Sequence, residues 1–155
     1  MPTALRTRLT LDTAAVDAVL SAAEKYATEH GHRVVSAVVD AGGHLLALRR
    51  TDGAQVASSR VAVDKARTSA IFVRPSRDIE AQVSSGRIGA LALRGAAALT
   101  GGIPLIVDGQ VVGAIGACGR RTATSSTPPR RARASLARRR IGGPKPPDRF
   151  GPSTF

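Results

Sequence analysis

Residues 103–117 read IPLIVDGQVVGAIGA, two apolar, β-branched runs separated by Asp108-Gly109. Asp-Gly suits the two left-handed positions of a two-residue hairpin turn, whose twist matches the strands it joins. The stretch predicts an antiparallel hairpin, Ile103 to Val107 against Gln110 to Ala117. Upstream, the almost wholly apolar run Val34 to Asp40, the permissive Ala41-Gly42-Gly43 and the run His44 to Arg49 spell a second hairpin. From Thr10 to His30, Val16, Val19, Leu20, Ala23 and Ala27 recur at helical spacing, with Thr10 or Asp12 to cap the start and Gly31 to end it. From Gln55 to Val73, Ala62, Ala66 and Ala70 step by four, Arg60 and Asp64 stand one turn apart as an expected ion pair, and Pro75 stops the helix. Asp78 to Ser84 suits a short third helix, and Gly86 to Thr100 reads as loop or weak helix. No strand pair is joined by a crossover helix. The expected class is therefore α+β, an antiparallel sheet with helices packed on it, like profilin or PAS domains.

The chain of 155 residues, 43% apolar, suits one domain with a real core. It contains no run of about 20 apolar residues, and Met1 to Leu11 lacks the apolar centre of a secretory signal, so the expectation is a soluble cytoplasmic protein without a membrane partner. A single cysteine, Cys118, excludes an internal disulfide and a Cys-rich metal cage. The net charge of +12 invites a nucleic-acid reading, yet it is unevenly spread. Residues 1–119 hold 13 basic groups against 10 acidic ones, whereas residues 120–155 hold 10 against Asp148 alone. The chain has no Trp and one Tyr, so little is offered for stacking on bases, and nucleic acid is not the expected partner. The expected organisation is a domain over 1–119 and an unstructured basic Pro/Arg-rich tail over 120–155.

Several motifs then fall in one order: Val38-Val39-Asp40-Ala41-Gly42-Gly43; Arg49-Arg50-Thr51-Asp52-Gly53-Ala54; Lys65-Ala66 with Ala70 and Phe72; and Gly101-Gly102-Ile103-Pro104-Leu105 leading to Asp108-Gly109 and Gly113-Ala114-Ile115-Gly116. In these the chain resembles the GlcG/HbpS family of small haem-binding proteins, and is similar to the C-terminal domain of PduO-type proteins. The resemblance implies a homo-oligomer that binds haem, with some relatives described as haem-degrading or as redox sensors. Two departures stand out: Thr51 replaces a Met of the family pattern, and Ala117-Cys118-Gly119-Arg120 replaces a Val-Ser-Gly-Gly that leads to an acidic last helix.

The tail begins where that pattern breaks off. With G or C at third codon positions, Arg120 to Thr127 read two nucleotides later gives Ala-Asp-Gly-Asp-Val-Val-Asp-Ala, the acidic start such a helix would have. The expectation is a frameshifted C-terminus, and with it a truncated or inactive copy lacking the usual last helix. A genuine basic tail that binds anionic polymers is the alternative, and would show steep salt dependence.

Haem needs an apolar slot, an axial ligand and often cations for its propionates. Haem is expected here by resemblance only. His44 is the candidate iron ligand, against a solvated strand residue; His30 and His32 flank a helix end, where a histidine simply complements the dipole, and their spacing of two points them apart on a helix. Cys118 could ligate iron but reads as a small buried hydrophobe. Arg49, Arg50 and Lys65 could meet a tetrapyrrole's or another acidic ligand's carboxylates, against ion pairing with Asp52 or Asp64. Gly101, Gly102 and Pro104 could shape a pocket between the sheet and this segment, against a strained hairpin entry; no Gly-Lys-Ser/Thr follows, so this is not a phosphate loop. No catalytic residue is assigned, since Asp40, Asp52 and Asp64 lie on separate elements. The reading leans to a binding protein, with an enzyme or module acting on a small acidic metabolite, or degrading haem, as the rival.

Overall fold

The computed structural model describes residues 7–121. Most of the tail expected to be disordered lies outside them. In chain order the elements are α1 (Thr13–Glu29), β1 (His32–Asp40), β2 (Leu45–Arg50), α2 (Ser58–Ile71), α3 (Ser76–Ser84), a 3-10 turn (Ile88–Ala92), β3 (Gly102–Val107) and β4 (Gln110–Arg121). The four strands form one antiparallel sheet in the order β2-β1-β4-β3, the expected α+β class. Asp108 and Gly109 have φ of 49° and 73°, the two left-handed positions that their hairpin demands.

Strand alternation divides β1 between two helices. Val35, Ala37 and Val39 face α2, where they pack with Ala62, Ala66, Ala70 and Ala114. Val38 faces α1 and packs on Val16 and Leu20. Burying each of these Val and Leu side chains contributes about 1.5–3 kcal/mol, enough to seat a helix whose sequence supplies only one apolar stripe. The Ala steps of α2 have partners that periodicity does not reveal. Gly116 and Gly102 pair side by side on the sheet, and a Cβ on either would strike the α2 backbone, at Ala62 and Ala66 or at Lys65. Small residues on both sides thus bring helix axis and sheet unusually close.

Boundaries shift for physical reasons. Asp12 rather than Thr10 caps α1, its carboxylate accepting the Ala15 N–H at 2.7 Å. α2 ends at Ile71 ahead of Pro75, because Val73 already turns into the left-handed region with φ of 54°. The expected Arg60–Asp64 ion pair does not form. β4 continues four residues beyond Ala117, pairing Arg33 with Arg120, so strand structure passes through the expected domain end at Gly119. Thr51, the departure from the family pattern, extends the sheet edge: its hydroxyl accepts the Val34 N–H at 2.9 Å and donates to the Val34 carbonyl at 3.0 Å.

Residues 86–101 contain the 3-10 turn and an irregular stretch pinned by two buried hydroxyls. Thr68 Oγ1 accepts the Ala97 N–H at 2.7 Å, and Ser76 Oγ donates to the Leu99 carbonyl at 2.6 Å while accepting the Gly102 N–H at 2.8 Å. These bonds deliver Gly101 and Gly102 onto α2.

Candidate functional site

The first hairpin turn is built around Asp40. Its Oδ1 accepts the N–H groups of Gly42 at 2.8 Å and His44 at 2.9 Å, and the His44 Nδ1 lies 3.2 Å from both carboxylate oxygens. Burial alone would push the Asp40 carboxyl up, but the bonds from the His44 backbone and ring and from Gly42 together outweigh it and hold the group below its ordinary value. A carboxylate on Nδ1 orients the ring and leaves Nε2 to project outward, the arrangement that favours a metal-ligating histidine. The His44 side chain is 79% exposed.

Asp40 and Gly42 also line a cleft of about 280 Å³ at this end of the sheet. Leu9, Leu11, Leu46 and Val112 give it apolar walls, and Arg8 stands at it as a cation. Leu46 and Val112 reach it through irregular pairing: the β1–β2 register slips between Val38 and Val39, and the β3–β4 register between Leu105 and Ile106, leaving one extra residue on β2 and one on β4. Such bulges redirect side chains, and nothing in the alternation of the sequence announces them.

A second group forms where β3 enters the sheet. Lys65 is only 9% exposed, and its Nζ lies 3.3 Å from the Ala117 carbonyl. Gly101 has φ of +127°, and a Cβ there would come within 2.6 Å of that same carbonyl and 3.1 Å of Nζ. A Cβ on Gly102 would lie 2.5 Å from Ser69 Oγ, a fully buried hydroxyl without a hydrogen-bond partner. Pro75, Arg77, Thr100, Gly101, Gly102 and Ile103 line a hollow of about 180 Å³ beside this group.

The seven residues singled out in the sequence therefore do not converge. Lys65, Gly101 and Gly102 come together; Pro104 sits on β3 opposite Ala114, where an edge strand tolerates its missing N–H. His44 is at the opposite hairpin. Arg49 lies across the face that bears α1, bound to Asp17 at 3.1 Å, Glu24 at 3.5 Å and Ser21 at 2.8 Å, partners other than the expected Asp52 or Asp64. Arg50 donates to the Ala54 carbonyl at 2.9 Å. His30 and His32 do not point apart as helical spacing suggested, because His32 already belongs to β1: their rings lie nearly parallel with centroids 6.3 Å apart, and Tyr26 stacks on His30 at 4.0 Å. Among the described residues no three His, Cys, Asp or Glu side chains gather as a metal site, and no helix is long and apolar enough to cross a membrane. Arg8, Leu46, Val112 and Ser69 were not anticipated; only Ser69, one turn beyond Lys65 on the same helix face, had a signal in the sequence.

Comparison with known proteins agrees with this fold. Residues 9–126 match the family model described as haem degrading protein HbpS-like. The chain is 35% identical to protein GlcG of Escherichia coli K12 over 112 residues, which cover 72% of this chain and 84% of that protein. The crystal structure of a double mutant of Streptomyces reticuli HbpS superposes with a TM-score of 0.68 at 29% identity, covering 77% of this chain and 84% of that one. A PduOC:haem complex shares the fold with a TM-score of 0.66 at 24% identity, over 72% of this chain and 84% of that one. With a family match across three quarters of its length and a relative 35% identical over 72% of the chain, the chain belongs to the HbpS-like family, whose model is described as haem degrading.

Proposed function

We propose that this chain binds haem or a related tetrapyrrole at the cleft beside the first hairpin, with His44 as the iron ligand. The observation that carries the reading is that Asp40, whose carboxylate holds the His44 ring, also lines a cleft with four apolar side chains. The carboxylate holds the ring by Nδ1, Leu9, Leu11, Leu46 and Val112 offer apolar surface, and Arg8 suits a propionate. Bound iron would supply redox chemistry; the protein's own residues orient the ligand and shield part of it. Pockets that enclose a drug-sized ligand run to about 300–1,000 Å³. A cleft of about 280 Å³ therefore holds such a molecule by one edge, and the expected homo-oligomer enters the reading as a second copy closing the open side. Arg49, Arg50 and Lys65 fall outside this cleft, their side chains committed elsewhere.

The same reading takes residues after Gly119 as the product of a shifted frame. Its support is the acidic segment obtained two nucleotides later, together with a sheet face that the described residues cover only in part. α1 packs on β1 and β2, while Ile103 on β3 remains 58% exposed on that side. Sequencing the locus is decisive, since an unbroken frame shared by close relatives would refute it.

The test of function is a haem titration followed by visible absorption on the chain, on His44→Ala and on a frame-restored version. A saturable Soret shift that loses its ligand signature in His44→Ala supports the reading. Absence of binding in every form moves the function to a small acidic metabolite, and turnover on adding reductant would make the chain an enzyme.

A further inference from the structure

We propose that Arg67 on α2 is a positioning residue for His44, holding the turn that aims the imidazole; this rests on the reading of His44 as the iron ligand. One peptide group carries the argument. The Gly43 carbonyl accepts the Arg67 Nε–H at 3.2 Å, within the ordinary range for an N–H···O bond. At the other end of that same peptide group, the His44 N–H donates to Asp40 Oδ1 at 2.9 Å. Guanidinium, peptide and carboxylate therefore stand in series, and the carboxylate in turn holds the His44 ring at Nδ1. A cation on the carbonyl side polarises the amide and makes its N–H a better donor to the anion beyond it. Arg67 thus acts on Asp40 through one peptide plane.

Packing supplies an independent support. Gly43 has φ of +84°, and a Cβ there would lie 2.9 Å from Arg67 Cγ and 3.1 Å from Ile71 Cγ2. Arg67 and Ile71 stand one helical turn apart on one face of α2 and form a saddle on which the bare Gly43 sits. The glycine meets two needs at once, a left-handed backbone and an approach that a methyl group would block. Within the turn, the Gly43 N–H donates to the Asp40 carbonyl at 3.0 Å and the Gly42 N–H to Asp40 Oδ1 at 2.8 Å. Asp40 closes the turn on itself; Arg67 and Ile71 fix it against α2.

The guanidinium is not claimed by an ion pair. Among the described residues no carboxylate lies within 4.0 Å of it, so nothing of opposite charge draws Nε away from the hairpin. Arg67 is otherwise exposed, which spares its charge the cost of burial while the stem packs on Gly43.

A matched pair of substitutions in the full chain tests the proposal. Glutamine places an amide nitrogen where arginine has Nε, and methionine places a methyl group there. Arg67→Gln therefore keeps a donor for the Gly43 carbonyl, whereas Arg67→Met keeps only the stem that packs on Gly43. In the haem-free chain, amide exchange at His44 should speed up by about 2–10-fold in Arg67→Met, the worth of one ordinary hydrogen bond, and stay near the parent rate in Arg67→Gln. Amides of β1 that pair with β4 should be unchanged in both. With haem added, the His44 ligand signature in visible absorption should weaken in Arg67→Met and be kept in Arg67→Gln. The proposal is overturned if His44 exchanges in Arg67→Met as in the parent, if all amides speed up together, as lost stability alone would make them, or if Arg67→Gln behaves like Arg67→Met. It is overturned as well if a signature that His44→Ala abolishes survives intact in Arg67→Met. A parent that binds no haem, or binds it exactly as His44→Ala does, refutes the iron-ligand reading instead, and exchange in the haem-free chain still decides whether Arg67 orders His44.

Discussion

Asp40 gathers two backbone N–H groups and the His44 ring at one turn, so its carboxylate is better held in the folded chain than in the unfolded one. A carboxyl lowered in the native state adds stability above the unfolded carboxylate range, near pH 4, and that contribution fades as pH falls through the native value. Asp40→Asn should therefore melt below the parent at pH 7, with the gap closing as the medium is taken below about pH 4; a constant gap at all pH values would contradict this. The same substitution should loosen the orientation of His44 and weaken any iron ligation by it. Gly116 is constrained by contact rather than by φ. A Cβ there meets Ala66 N at 2.5 Å, so Gly116→Ala forces α2 off the sheet and should destabilise by about 1–3 kcal/mol or more, read in urea or thermal unfolding. Asp40 was legible as turn chemistry, because an Asp opening Asp40-Ala41-Gly42-Gly43 can bond the backbone two residues on. Gly116 was legible only as a motif letter, since its neighbour Ala62 is more than fifty residues away.

At the level of elements, both hairpins and all three helices follow from local pattern, while their ends are set by what surrounds them. Asp12→Ala removes the bond to the Ala15 N–H and should cost about 1 kcal/mol, shown as a lower midpoint with unchanged spectra. The irregular stretch before β3 is held differently. Ser76→Ala deletes two buried bonds, one to the Leu99 carbonyl and one from the Gly102 N–H, and should cost about 1–3 kcal/mol. Amide exchange at Gly102 should speed up in that variant more than exchange in β1. An Ala/Leu/Gly run with no period gave no sign of this, because its order comes from hydroxyls on α2 and α3 and not from its own residues. The two strand bulges were hidden for a similar reason. Alternation describes one strand, whereas a bulge is a mismatch between two.

Among the described residues the two sides of the sheet are unequally covered. α2 lies across β1, β4 and β3 on one face, while α1 lies over β1 and β2 on the other. Exposed apolar strand surface promotes association. The frame-restored version should accordingly be more soluble and melt higher than the chain as encoded, and equal solubility with equal midpoints would count against the shifted frame. If the encoded chain binds DNA, the affinity should fall steeply with salt and disappear when residues 120–155 are deleted, since the excess of charge resides there.

Periods of two and of 3.6, an Asp-Gly turn and the order of hairpins and helices are local properties of the chain, and they sufficed for the α+β class, while the family rested on the ordered motifs that resemble it. Sites are not local. The seven candidate residues shared chemical suitability, yet packing of α2 through Gly102 and Gly116 drew Lys65 to Gly101, and α1 claimed Arg49 with Asp17 and Glu24. His44 was left with Asp40 at the far turn, beside a cleft whose walls come from two bulges and the segment before α1. Which face each side chain occupies follows from register, and register is decided only when strands distant in sequence pair and helices close over them.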